Sequence, residues 1–271
     1  MALRLGFTAQ DTTLHRLHPL LKLISLILCT TGVLVYDEWL LALSVLLVVL
    51  MCMRLARLSL GTVARRLRLI VLFSTMILAV QLLVTSNGTI VLFLVPKLGS
   101  FGPFIPVTDY GLARGVTISL RFLVIVLSSM LFVSVTDPTL LAHSLSRLGI
   151  PYRYGFLIVI ALRFLPLFDQ ETQTVRMAQS SRGISIEVGR PSKTLRTLRY
   201  TFFPLLVSTL SRVETLSESM VGRGFGYSQT RTYVRTVRWR RFDSIVMASV
   251  LIAFILCLLI ASGLVPSFLP F

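Results

Sequence analysis

The sequence predicts an all-α integral membrane protein with about five transmembrane helices and a cytoplasmic region of about three more. Three observations carry that reading. Hydrophobic residues make up 55% of the 271 and charged residues only 14%, several apolar runs are long enough to cross a bilayer, and the basic residues crowd between the last two runs. A mean hydropathy of +0.83 lies well above the range of soluble domains. The net charge of +16 raises the question of nucleic acid. So apolar a chain has little surface to give a polyanion, and basic cytoplasmic loops account for the excess, so no nucleic-acid partner is expected.

Each span follows from length, since a hydrocarbon core of roughly 30 Å takes about 20 helical residues. The runs are about Leu20–Tyr36, Trp39–Met53, Leu69–Val95, Val116–Val135 and Ser244–Leu264. The first two are short, so the bilayer thins around them or Tyr36, Trp39 and flanking arginines anchor their ends. The third is long and interrupted by Gln81 and Thr85-Ser86-Asn87-Gly88, so it tilts, or breaks and continues as a shorter segment. Orientation follows from the loops: Arg54, Arg57, Arg65, Arg66 and Arg68 follow the second run, against only Lys97 and Arg114 between Pro96 and Gly115. The first loop is therefore assigned to the cytoplasm and the second to the outside. No cleavable signal peptide is expected, because the first run begins only at Leu20, after Arg4, His15, Arg16 and His18. A multi-pass protein of the cell membrane with a cytoplasmic amino terminus is the expectation.

Three regions result: 1–135 with four spans, 136–241 in the cytoplasm, and 242–271 with the last span. From Asp137 to Arg241 there are 16 of the 27 Lys and Arg residues against six of the 11 Asp and Glu, a local excess of +10. Tyr154–Phe168 is apolar enough to suggest another crossing, but a crossing there would place the arginines that follow on the outer side. It is read as an interfacial or partly inserted helix. Within the cytoplasmic region, Thr136-Asp137-Pro138 is a helix start, and Gly149 with Pro151 a stop, giving about a dozen residues. Pro166 and Pro204 are expected to open two longer helices. In the second of these, Leu206, Leu210, Val213, Leu216 and Met220 recur every three or four residues as a packing stripe, opposite Arg212, Glu214, Thr215, Glu218 and Ser219.

The two longer helices end alike, at Ser181-Arg182-Gly183 and Gly222-Arg223-Gly224. Capping accounts for the local chemistry: glycine past a helix end takes positive φ without a Cβ clash, and a cation in the last turn complements the helix dipole. The three-residue string has little meaning alone. Ala113-Arg114-Gly115 also matches it, yet lies on the expected outer side at the start of a span.

Context gives the two ends weight. Across nearly its full length the chain resembles the transmembrane T component of energy-coupling factor transporters, the EcfT/CbiQ family of ABC importers. The resemblance rests on Leu14-His15-Arg16-Leu17-His18-Pro19-Leu20-Leu21-Lys22, on Thr136-Asp137-Pro138 with Leu140-Leu141-Ala142, and on Ala161-Leu162-Arg163-Phe164-Leu165-Pro166. It rests most on Ala178-Gln179-Ser180-Ser181-Arg182-Gly183 and Ser219-Met220-Val221-Gly222-Arg223-Gly224-Phe225, which match the family's paired Ala-Arg-Gly signatures. Ser181 and Gly222 stand where alanine is usual, and both are small. The resemblance implies two ABC ATPase subunits as partners, one engaged by Arg182 and the other by Arg223, and a substrate-binding S component held in the membrane beside lipid. ATP binding would close the ATPase pair, and this chain would pass the motion on.

Other functions find less support in the residues. There is no G-x-x-x-x-G-K-[ST] loop, and Gly222-Arg223-Gly224-Phe225-Gly226 follows a helix instead of a strand, so neither a nucleotide cofactor nor an enzymatic activity is expected. A catalytic pocket would need Glu171, His143 and Asp169 together, and no spacing supports it. His15 and His18 lie at i and i+3, but Arg16 and Lys22 beside them disfavour a metal. Cys29, Cys52 and Cys257 each stand alone in an apolar run, implying neither disulfide nor metal site. Arg121, inside the fourth run, snorkels to the outer surface or pairs within the bundle. The remaining alternative is a membrane scaffold whose basic region binds anionic lipid headgroups.

Overall fold

The computed structural model describes residues 10, 12–35, 38–57, 60–85, 89–95, 104–146, 151–184, 191–227 and 239–262. In chain order the elements are α1 Thr13–Arg16, α2 Pro19–Val35, α3 Trp39–Leu55, α4 Leu60–Val84, β1 Ile90–Val95, β2 Phe104–Thr108, α5 Asp109–Val135, α6 Pro138–Ser146, α7 Tyr152–Ser181, α8 Pro191–Gly222 and α9 Arg241–Ala261. They divide into two compact units, one of Leu5–Ser144 with Arg238–Phe271 and one built on Leu145–Val237. The expected loop residues Asp37, Lys97 and Gly149 lie outside the described residues.

The first unit is the membrane part of an all-α membrane protein. Residues 67–84 of α4, all of α5 and Arg241–Ile260 of α9 are long and apolar enough to cross, while α2 and α3 are shorter apolar helices of 17 residues each. α5 is central, packing on α2, α3 and α4, and α2 also packs on α9. The core consists of Val124 and Leu127 on α5 with Val33, Ala42, Val49 and Met53 around them. Outward-facing Leu47, Leu72 and Ile252 are exposed, as lipid-facing side chains are in a protein whose solvent there is hydrocarbon.

The third apolar run breaks instead of tilting. α4 stops at Val84, and the rest of the run becomes β1, paired antiparallel with β2 in the register Leu92 with Val107 and Val95 with Phe104. The end of α4 is tied to the residue before α5, Thr108, whose hydroxyl donates to the Thr85 carbonyl at 3.2 Å and accepts from the Gly111 amide. A Cβ at Gly111 would lie 2.8 Å from that hydroxyl, which makes glycine necessary there. With Thr108 as N-cap and Asp109 in its first turn, α5 begins seven residues before the expected Val116. Arg121 accordingly sits half-buried near the middle of α5.

At one edge of this unit, the start of α2, the end of α5 and the start of α9 are tied together. Lys22 Nζ donates to the Val135 carbonyl at 3.0 Å and to that of His15 at 3.1 Å. Asp243, 1% exposed, accepts from the Arg240 amide at 2.8 Å and the His18 amide at 3.3 Å. The His18 ring lies 5.0 Å from that of Trp239. α6 starts beside this edge: Asp137 caps it through the Thr139 amide at 2.8 Å, and it is described over Pro138–Ser146.

The second unit is the helix pair α7 and α8. Pro166 and Pro204 do not open these helices as expected but lie inside them. An internal proline removes one backbone bond, and here more than three turns of helix on either side carry the chain through it. Tyr154–Phe168 is therefore the first half of one 30-residue helix. The stripe on α8 also differs from expectation: Leu206, Leu210 and Val213 are exposed, Leu216 and Met220 half-buried, and the face with Ser208 and Arg212 meets α7.

Candidate functional site: two matched helix ends

Both helices of the second unit end in the same hydrogen-bonded cap. At the end of α7 the Gly183 amide donates to the Ser180 carbonyl at 3.0 Å and the Ile184 amide to the Gln179 carbonyl at 3.1 Å. After α8 the Gly224 amide donates to the Val221 carbonyl at 2.9 Å and the Phe225 amide to the Met220 carbonyl at 3.0 Å. These are two Schellman motifs, and they require Gly183 at φ +78° and Gly224 at φ +69°. The third literal match is different: Arg114 lies inside α5, its Nη1 donating to the Tyr110 hydroxyl at 2.8 Å, and Gly115 is buried against Gln81.

The caps explain the glycines and leave the arginines unused. Arg182 and Arg223 occupy the C-cap position, their amides donating to the Gln179 and Met220 carbonyls, while their exposed guanidinium groups have no hydrogen bond or ion pair among the described residues. Ser181, also exposed, donates its hydroxyl to the Met177 carbonyl at 3.0 Å, and a Cβ on Gly222 would meet nothing within 4 Å. Each guanidinium is thus a rigid fork of donors beside a small residue, on a surface that another backbone can approach.

Three contacts fix how the ends relate. Glu171 accepts from the Ser208 hydroxyl at 2.6 Å and from Arg212 Nη2 at 3.2 Å, Gln179 Nε2 donates to the Tyr200 carbonyl at 3.3 Å, and Phe156 stacks on Phe225 at 4.5 Å. As residue numbers rise along α7 their partners' numbers fall along α8, so the helices run antiparallel. The Glu171–Arg212 ion pair stands eleven residues before Arg182 on one helix and eleven before Arg223 on the other. At about 1.5 Å per residue, each arginine lies roughly 16 Å from that pair, on opposite sides of it.

The other candidate residues serve locally. Asp169 accepts from Gln173 Nε2 at 3.3 Å, and Glu171 is committed to α8. His143 lies half-buried in α6. His15 Nδ1 is bonded to the Thr12 hydroxyl and His18 Nδ1 accepts from the Leu20 amide, so both rings are occupied at the edge of the membrane unit. Among the described residues no three of His, Cys, Asp or Glu are grouped to hold a metal. Sequence reading missed Glu171 and Arg212 as the midpoint of the pair. The available signal was their shared eleven-residue distance from the two arginines.

Comparison with known proteins bears on the same segments. The profile of the CbiQ family, described as a cobalt transport protein, matches residues 10–234, which include both helix ends. The chain is 28% identical over 257 residues to the energy-coupling factor transporter transmembrane protein EcfT of Lactococcus lactis subsp. cremoris, covering 92% of this chain and 94% of that one. It is 30% identical over 267 residues to the protein of the same name from Limosilactobacillus fermentum, covering 93% and 94%. The protein of that name from Thermotoga maritima is 26% identical over 242 residues, covering 87% and 85%.

Proposed function

The chain belongs to the CbiQ family and is a transmembrane component of the energy-coupling factor transporter class, and on that premise we propose that it links two ABC ATPase subunits to a membrane-embedded S component. ATP-driven closure of the ATPase pair moves α7 and α8, and their motion re-orients the S component during uptake of a vitamin or a transition-metal ion. The reading includes a cell-membrane location with the amino terminus in the cytoplasm. One observation carries it: two identically capped helix ends, each with an exposed arginine, stand at equal distances on opposite sides of one ion pair. One protein with a single docking site would need only one such end, whereas two like subunits need two.

Arg182 engages one ATPase and Arg223 the other, each flanked by a small residue that admits close approach. ATP hydrolysis belongs to those partners. The exposed Phe202, Phe203, Leu206 and Leu210 give the pair an apolar face suited to the S component or to lipid. The test is co-purification with the ATPases, together with ATP-driven uptake in vesicles, for Arg182→Ala, Arg223→Ala and the double variant. Losing a charged donor that is buried on binding should weaken each docking by about 30-fold or more, and the double variant should retain neither ATPase. Full uptake by the double variant would refute the reading. Loss that tracks total charge, whichever arginines are changed, would instead favour the lipid-binding scaffold.

A further inference from the structure

Within the membrane unit, α2, α3, α5 and α9 line a partly open cavity of about 540 Å³. Its wall is aliphatic, including Leu21, Val33, Leu41, Val45 and Val250, and all three cysteines of the chain lie on it. Lys22 also lines it, at the edge where α2 starts and α5 ends. From Lys22 to Val33 the cavity follows eleven residues of α2, about 16 Å at the helical rise, close to half of a roughly 30 Å hydrocarbon core. That is the depth of one leaflet. So apolar a wall offers water too few partners, and an unfilled cavity would forfeit the contacts of every side chain around it.

The polar end selects the occupant. The Lys22 ammonium has three donors, and the Val135 and His15 carbonyls take two of them. The carboxylate beside it, Asp243, is already engaged by the Arg240 and His18 amides. Arg240 and Arg241 are exposed at the start of α9, next to the half-exposed indole of Trp239, as at a membrane-water boundary. An apolar slot one leaflet deep, with an ammonium at its end and two exposed arginines at the start of a helix that lines it, matches an amphiphile with an anionic head.

We propose that this cavity holds one acyl chain of an anionic phospholipid, with its phosphate against Lys22, Arg240 and Arg241. The lipid then completes the packing between α2 and α9 and fills a seam that side chains leave open. The site does not depend on which proteins dock on α7 and α8.

The test uses the full chain in nanodiscs, alone and with its co-purifying partners, and two probes: phosphatidylglycerol and phosphatidylcholine, each with a diazirine at the end of one acyl chain. Labelled peptides are mapped by mass spectrometry. Phosphatidylglycerol is expected to label the deep wall near Val33 and Phe254 at least five-fold more than phosphatidylcholine does. Lys22→Gln should lower that labelling about five-fold, the worth of one basic residue at an anionic headgroup, and Lys22→Arg should retain it. Cys29→Phe, which fills the slot, should abolish deep labelling while Leu47 and Ile252 on the lipid-facing surface stay labelled, showing that the variant is folded. Equal labelling by the two lipids, labelling of Leu47 and Ile252 alone in the wild type, or no effect of Lys22→Gln would overturn the proposal. Deep labelling that disappears once partners are bound would assign the cavity to a protein segment and overturn it as well.

Discussion

At the scale of the residue, neighbouring glycines at the helix ends have opposite requirements. Gly183 and Gly224 sit in the left-handed region, where an L side chain clashes with the following carbonyl. Replacing either by alanine should cost about 1–2 kcal/mol, read as a lower thermal unfolding midpoint in detergent. Gly222 lies in the last turn of α8 with open space around its missing Cβ, so Gly222→Ala should gain about 0.5–1 kcal/mol in the same assay. The two arginines should behave differently again. Each is exposed, so Arg182→Ala and Arg223→Ala should leave the unfolding midpoint nearly unchanged while each weakens the docking of one ATPase. These end residues were legible in the sequence because capping is a contract among five or six consecutive residues, and all of them are visible in a linear string.

At the scale of the element, legibility declines wherever distant packing decides. Pro166 and Pro204 read as helix starts by local preference, yet neighbouring turns override a single proline when both flanks are long. The Leu206–Met220 stripe has true helical spacing, and spacing does not say which surface it faces; in α8 the polar side carrying Ser208 and Arg212 meets α7. The short apolar stretch that became β1 has no period that separates strand from helix, so it read as the continuation of a span. The contacts between α7 and α8 should be unequal in strength. Glu171 and Arg212 are partly solvated, so Glu171→Gln should cost under about 1 kcal/mol. Gln179 is buried and satisfies the Tyr200 carbonyl, so Gln179→Ala should cost about 1–2 kcal/mol, and thermal unfolding of the two variants side by side checks the order.

At the scale of the whole molecule, the apolar runs and the basic block were enough to identify a helical membrane protein, because bilayer thickness imposes span length on the sequence directly. The edge cluster around Asp243 was not legible, since it joins His18 to a residue 225 positions away. It makes a topological prediction: single cysteines at Arg16, Thr139 and Trp239 in a cysteine-free background should react with a membrane-impermeant maleimide from one side, and cysteine at Tyr110 from the other. Mixed sidedness among the first three would contradict the arrangement. The antiparallel pair has a mechanical consequence as well. If two docked subunits press equally on Arg182 and Arg223 along these antiparallel helices, the pushes are opposed and offset sideways by about 8–10 Å. Such forces have no resultant but do have a moment. The pair would therefore turn about the Glu171–Arg212 contact without sliding, and spin labels near its two ends should report a change of angle at nearly constant separation.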